Sequence, residues 1–159
     1  MIIMKKIKLV NTENKFTLVD NEIFEKLGNL KWKWRLHSAG YAMRNTEKRG
    51  IFIYLHREIM NAKKGELVDH INFNKLDNRQ ENLRLCSSAD NSRHKIQKRG
   101  KSNYMGVSYY NHSKSWRAYI KLNNRQVHLG TFMTAKEAAL ARDEATKKHF
   151  GNFGMMNFQ

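Results

Sequence analysis

The 159-residue sequence contains no proline, a single cysteine and fewer than half as many acidic residues as basic ones. Without proline, its turns must rely on Gly, Asn and Asp, which tolerate left-handed backbone or close a turn with their own side chain. The lone thiol, Cys86, excludes an internal disulfide and any metal site made from cysteine pairs, and it fits a reducing compartment. No apolar run approaches the roughly 20 residues of a membrane-spanning helix. The opening Met1-Ile2-Ile3-Met4-Lys5-Lys6 has no apolar core leading to a small-residue cleavage site, so no signal peptide is expected and a cytoplasmic location is.

The shortage of acids sets the charge. Lys and Arg total 30 against 14 Asp and Glu, a formal net charge of +16. Self-repulsion of that size disfavours a compact chain, which implies a polyanionic partner. DNA or RNA comes first, because Lys and Arg release the counterions condensed on phosphates. An anionic membrane surface comes second.

Hydrophobic patterning separates the chain into an N-terminal α+β region (1–60), a polar region (61–96), a basic linker (97–103) and a C-terminal region (104–159). In the first, residues 15–19 and 51–55 read as strands. Asp20-Asn21-Glu22 with Ile23, Phe24 and Leu27, then Gly28, reads as a short capped helix. Trp32 and Trp34 alternate with Lys31, Lys33 and Arg35, which predicts a strand with an aromatic face and a basic one. That strand fits either DNA contact or an ordinary amphipathic sheet. The role of residues 1–60 stays open at this level.

In the polar region, residues 67–71 read as a strand, 72–80 as a loop rich in Asn and Asp, and 82–86 as a second strand. A helix then follows from an N-cap among Ser87, Ser88, Ala89 and Asp90, through Asn91 and His94, to about Ile96. The run from Lys95 to Ser102 is basic, carries Gly100 and lacks aromatics, which predicts an unpacked linker.

The C-terminal region reads as three antiparallel strands and one helix. The strands cover 106–110, 116–121 and 126–129, the last ended by Gly130, with Asn123-Asn124 as a hairpin turn. Thr134 and Glu137 form a capping box, and the helix runs to about Phe150 with Gly151 as terminator. By alternation Trp116, Ala118, Ile120, Val127 and Leu129 face the helix. Ser108, Tyr110, Arg117, Tyr119, Lys121, Gln126 and His128 face away from it.

The densest chemical signal is the pair Asp69-His70, with Asn82 twelve residues after His70 and Asn91 nine after that. The stretch Leu67-Val68-Asp69-His70-Ile71-Asn72, the run Asp77-Asn78-Arg79-Gln80-Glu81-Asn82-Leu83-Arg84, then Asn91, resembles the HNH endonuclease family. The upstream Leu55-His56-Arg57-Glu58-Ile59-Met60 resembles the segment that precedes this motif in phage and intron-borne homing members. The resemblance implies an α+β fold with a ββα-metal core. It also implies a phosphodiester hydrolase that nicks or cleaves double-stranded DNA inside a bacterial or phage-infected cell. Asp69 and Asn91 would then supply oxygen ligands to one hard cation, Mg²⁺ or Mn²⁺, and His70, neutral, would accept a proton from the attacking water. Asn82 would tie the loop and help fix the His70 ring. Zinc is not expected, since the family's accessory zinc sites use cysteine pairs. Arg84 is favoured as a phosphate contact, Arg79 fits phosphate or solvent, and His56 and His94 fit structural or catalytic roles.

The C-terminal region resembles the plant ethylene-response-factor (Apetala-two) DNA-binding domain in Tyr104-Met105-Gly106-Val107, residues 116–120, Leu129-Gly130-Thr131-Phe132, residues 134–139 and Asn157. The resemblance implies that the sheet enters the major groove, which is about 12 Å wide. Ser108, Tyr110, Arg117, Tyr119, Lys121, Arg125, Gln126 and His128 would then be DNA contacts. Met105, Ser108, Tyr110 and Gln126 replace arginines of the plant domains, so their GC-rich preference does not transfer and phosphate contacts should dominate. No long apolar seam is visible, and a monomer is expected. A catalytically inactive DNA-binding regulator is the main alternative. A ribosomal-type RNA-binding protein is permitted by charge alone.

Overall fold

A computed structural model describes residues 4–28, 33–94 and 102–158. It is a mixed helix and strand structure with several small antiparallel sheets, compatible with the α+β class. The chain divides into two compact units, Met1–Ser87 and Ser88–Gln159.

The first unit opens with an antiparallel pair, β1 (Met4–Lys8) and β2 (Phe16–Asp20), in which period-2 alternation turns Thr17 and Val19 inward. A short helix α1 (Asn21–Ile23) continues as a wider π-type turn, Phe24–Gly28. Asp20 does not cap α1 with its side chain as expected, because its carboxylate accepts the backbone N–H of Gln80 at 2.8 Å instead. Residues 29–32, including Trp32, lie outside the described residues. Trp34 is not on a strand's aromatic face. It is 2% exposed, donates Nε1–H to the Leu27 carbonyl at 3.3 Å, and joins Ile7, Leu9, Val19, Ile23, Leu27, Ala42 and Leu55 in the core. Burial of the large apolar indole outweighs the local alternation pattern.

Three short strands, β3 (Arg35–Leu36), β4 (Ala42–Asn45) and β5 (Phe52–Tyr54), form an antiparallel sheet in that order. The strand predicted over 51–55 stops at Tyr54, because Leu55 begins helix α2 (Leu55–Ile59). Arg57 on α2 donates to the carbonyls of Glu66 at 2.5 Å and Lys63 at 2.8 Å, which ties down the loop leading into β6 (Leu67–His70). That strand pairs antiparallel with β7 (Leu83–Cys86), setting Asp69 opposite Arg84 and His70 opposite Leu83.

The second unit begins with helix α3 (Ser88–Arg93). Its predicted extension to Ile96 and most of the predicted linker fall on residues 95–101, outside the described residues. Ser102, assigned to an unpacked linker, is buried and donates to the Val107 carbonyl at 2.8 Å. Strands β8 (Val107–Tyr110), β9 (Ser115–Leu122) and β10 (Arg125–Phe132) form an antiparallel sheet ordered β10-β9-β8. Asn123 and Asn124 both have positive φ (48° and 63°), as the tight β9–β10 turn requires.

Gly130 does not end β10. The strand continues to Phe132 through a register shift between His128 and Gly130, with Gly130 at φ 145°, where other residues would be strained. Helix α4 (Ala135–Phe150) lies on the sheet with its capping box formed, and Val107, Ala118, Ala138 and Ala139 make the contact. Val127, expected against the helix, is 38% exposed instead. It lies across from Ile120, near the hairpin tip and on the N-terminal side of the register shift. Asn157 acts as a staple for this unit, since its amide bonds both the N–H and the carbonyl of Met105 and also Asp143.

Candidate active site

The site grows from the end of β6. Strand alternation sends Asp69 and His70 to opposite faces, and both are nonetheless buried: the Arg84 side chain lies on Asp69, while Asn78 of the 71–79 loop and the rings of Tyr41 and His56 lie on His70. The loop is held by amides. Asn82 Nδ2 donates to the Asp77 carbonyl at 2.7 Å, Asn82 Oδ1 accepts the Asn72 N–H at 2.9 Å, and the Asn82 carbonyl accepts the Ile71 N–H at 2.9 Å. Asp77 is buried but fully engaged. Arg79 donates to both of its oxygens at 2.8 and 2.7 Å and Asn72 adds a third bond, so its carboxyl lies below its ordinary value, chiefly through Arg79.

The loop is also pinned to β2. Leu18 N–H donates to the Leu76 carbonyl at 2.7 Å and Asn78 N–H donates to the Leu18 carbonyl at 2.8 Å, which makes a parallel bridge between Leu18 and Asp77. The bridge carries Asn78 inside, where its side chain is fully buried. Asn78 Oδ1 lies 3.2 Å from His70 Nε2, and Asn78 Nδ2 donates to Thr17 Oγ1 at 2.7 Å. Asn82 was expected to help fix the imidazole; in the structure it ties the loop, and Asn78 touches the ring.

His70 sits among other rings, with Tyr41 at 5.9 Å and His56 at 5.2 Å between centroids. Burial pushes the His70 imidazole below its ordinary value, opposed by its hydrogen bond to Asn78 and by the charge of Asp69. His56 is pushed down to about 3, first by burial, then by His70 and Arg57. Both imidazoles are therefore neutral at pH 7. Two imidazolium rings in edge contact in a poorly solvated space would repel and lose hydration.

Asp69 and Arg84 form a close ion pair. Arg84 Nε and Nη2 both donate to Asp69 Oδ2, at 2.9 and 2.7 Å, and both side chains are largely buried. Arg84, expected as a phosphate contact, bonds the Asp69 carboxylate, because cross-strand register sets the two directly opposite. The first unit thus brings together Asp69, His70, Asn82 and Arg84. Asn91 lies on α3, which begins the second unit, and His94, which is buried, follows the last residue of that helix.

In the second unit the sheet face away from α4 carries Ser108, Arg117, Tyr119, Lys121, Gln126 and His128, with Tyr110 at its edge. Register sets Ser108 beside Arg117, Tyr119 beside His128 and Lys121 beside Gln126. The Arg117 guanidinium lies 3.3 Å over the Tyr110 ring, and Tyr119 and His128 are 5.2 Å apart. Arg125 pairs with Leu122, so alternation turns it to the other side from Gln126.

Sequence reasoning missed two contributors, Asn78 and Thr17, and left His56 open between a structural and a catalytic role. Asn78 was within the quoted motif but read as loop. His56 carried a hint in the Leu55-His56-Arg57 segment. Thr17 left no local signal, since it lies 61 residues from Asn78.

Residues 54–93 match the family model described as HNH endonuclease. An uncharacterized HNH endonuclease of Acanthamoeba polyphaga mimivirus is 28% identical over 130 residues, covering 80% of this chain and 67% of the viral protein. Two Arabidopsis thaliana proteins, an AP2-like ethylene-responsive transcription factor and a second ethylene-responsive transcription factor, are each 39% identical over 62 residues, 38% of this chain. The chain spans only 18% and 14% of the length of those two plant proteins. Asp69, His70, Asn82, Arg84 and Asn91 all fall within residues 54–93, the stretch that is similar to the HNH endonuclease model.

Proposed function

We propose that the chain is a metal-dependent DNA endonuclease of the homing type, with His70 as general base. One observation carries this reading. A buried, neutral imidazole, His70, directly follows the buried carboxylate of Asp69 along β6, inside the segment that matches HNH endonucleases.

The donor chemistry of Asp69 and Asn91, one carboxylate and one amide oxygen, fits a hard cation that keeps most of its ligands as water and phosphate, as magnesium does. Among the described residues no group of three or more His, Cys, Asp and Glu side chains could hold a metal by itself. A bound divalent cation would stabilise charge on the phosphate and on the departing 3′ oxygen. The protein's own part is proton transfer and orientation. Imidazole nitrogen lacking a proton accepts one from the attacking water, and because burial keeps His70 neutral this capacity is present at pH 7. Arg84 orients the Asp69 carboxylate through its two bonds to Oδ2.

The outer face of the second unit's sheet binds double-stranded DNA, with Arg117, Lys121 and His128 toward phosphates and Tyr110 and Tyr119 as flat apolar surfaces. The likeness to plant transcription factors over 62 residues supports this reading. Nicking of supercoiled plasmid with and without Mg²⁺ tests the whole proposal. His70→Ala should lower the rate by about 10²–10⁴ while leaving DNA affinity nearly unchanged. Metal-dependent cutting that survives His70→Ala would overturn the mechanism. DNA binding by the wild-type protein without any cutting would instead support the inactive-regulator reading.

A further inference from the structure

The proposed base needs one specific ring nitrogen free of a proton, and neutral imidazole has two tautomers. Which one is present depends on the partner of the other nitrogen. The partner of His70 Nε2 is Asn78, whose amide can in principle present either oxygen or nitrogen. Its surroundings remove that choice. Leu76 O can only accept, so Thr17 Oγ1, at 2.9 Å, must donate to it. The Thr17 hydroxyl then offers only a lone pair to Asn78, at 2.7 Å. Lys75 O, a second obligate acceptor, lies 3.4 Å from the same Asn78 nitrogen. Two acceptors on one side require the amide NH₂ there, so the amide oxygen faces His70. An oxygen cannot donate, and His70 Nε2 must therefore carry the hydrogen.

We infer that Thr17 and Asn78 form a directional hydrogen-bond relay that locks His70 in its Nε2–H tautomer, leaving Nδ1 as the proton-accepting nitrogen. Both relay residues are positioning residues. Thr17 and Asn78 are fully buried, so no solvent competes for their bonds. Among the described residues the ring makes no other hydrogen bond. The relay assigns a role to β2, which supplies Thr17 and, through Leu18, the bridge that holds Asn78 in place. The inference rests on His70 being the base only for its effect on cutting. The tautomer is a property of the ring whatever the ring does.

The test is a long-range ¹⁵N–¹H correlation spectrum of the full-length protein with ¹⁵N-labelled histidine, the His70 signals being assigned by their loss in His70→Ala. Wild-type His70 should show a protonated Nε2 and an unprotonated Nδ1 at pH 7.5. Thr17→Val keeps the side chain's shape but removes the hydroxyl, so Asn78 can rotate and the spectrum should show both tautomers or fast averaging. In the plasmid assay kcat should fall on the order of ten-fold with KM little changed. Thr17→Ser, which restores the hydroxyl, should recover both the spectrum and kcat. A wild-type His70 protonated on Nδ1 overturns the relay without any variant, which keeps the test decisive even if Thr17→Val does not fold. An unchanged tautomer in folded Thr17→Val overturns it equally. The nicking assay with His70→Ala fails or succeeds separately, so loss of the endonuclease reading and loss of the relay are distinguishable.

Discussion

At the scale of single residues, the site is built from groups whose alternatives have been removed. Asn82 uses both ends of its amide, donating to the Asp77 carbonyl and accepting from the Asn72 N–H. Asn82→Asp has the same shape but cannot donate, and it sets a carboxylate against a buried carbonyl. It should destabilise the protein by about 2–3 kcal/mol, read in urea unfolding. His56 gives a pH signature. It is neutral when folded, with its pKa near 3, and titrates near 6.5 when unfolded, so the unfolded chain binds more protons across that interval. Stability is therefore full above pH 6.5 and falls as pH drops toward 3, by up to about 1.4 kcal/mol per pH unit from this residue. His70 acts in the same direction, whereas Asp77 acts only below its ordinary value of 3.8. His56→Leu should flatten the melting temperature against pH between 6 and 4.5. A slope unchanged by that substitution would assign the acid sensitivity elsewhere.

At the scale of elements, local chemistry and long-range demand divide the chain. Helix α4 is legible because its start and stop are written beside it. Thr134 and Glu137 bond reciprocally with the N-terminal backbone, and Gly151 takes the positive φ at the C-terminal end. Thr134→Ala should cost about 1 kcal/mol in thermal melts and leave plasmid nicking unchanged. The β9–β10 hairpin is legible for the same reason, through Asn123-Asn124. Gly130 misleads, because a glycine reads equally well as a strand end or a bulge, and only pairing with β9 shows that the strand continues. Gly106 has a similar constraint. At φ 69°, an added Cβ would meet the Tyr119 carbonyl at 2.5 Å, so Gly106→Ala should loosen β8 from β9 and weaken DNA binding in a filter or anisotropy assay.

At the scale of the whole molecule, charge dominates. In the proposed DNA complex, a net +16 with basic and aromatic side chains on one sheet face would set an electrostatic mode of binding. With six to ten phosphate contacts, DNA affinity should fall by roughly 10³–10⁵ between 50 and 200 mM salt. A flat response would remove the electrostatic argument while leaving the site chemistry untouched.

The sequence by itself determined the mixed helix and strand character, the hairpin and capped helix of the C-terminal unit, and the spacing of Asp69, His70, Asn82 and Asn91. Each of these is carried by neighbours within a few residues, or by a motif short enough to be read along the chain. Tertiary structure decided the electrostatics and orientation at Asp69 and His70. Arg84 lies on the Asp69 carboxylate because β6 and β7 are in that register. His56 and Tyr41 reach His70 only once the short strands and α2 have packed. Thr17, in a segment whose purpose the sequence left open, orients Asn78 across a separation of 61 residues. Strand register and buried hydrogen-bond direction are long-range properties, and a one-dimensional pattern does not encode which carbonyl lies behind which hydroxyl.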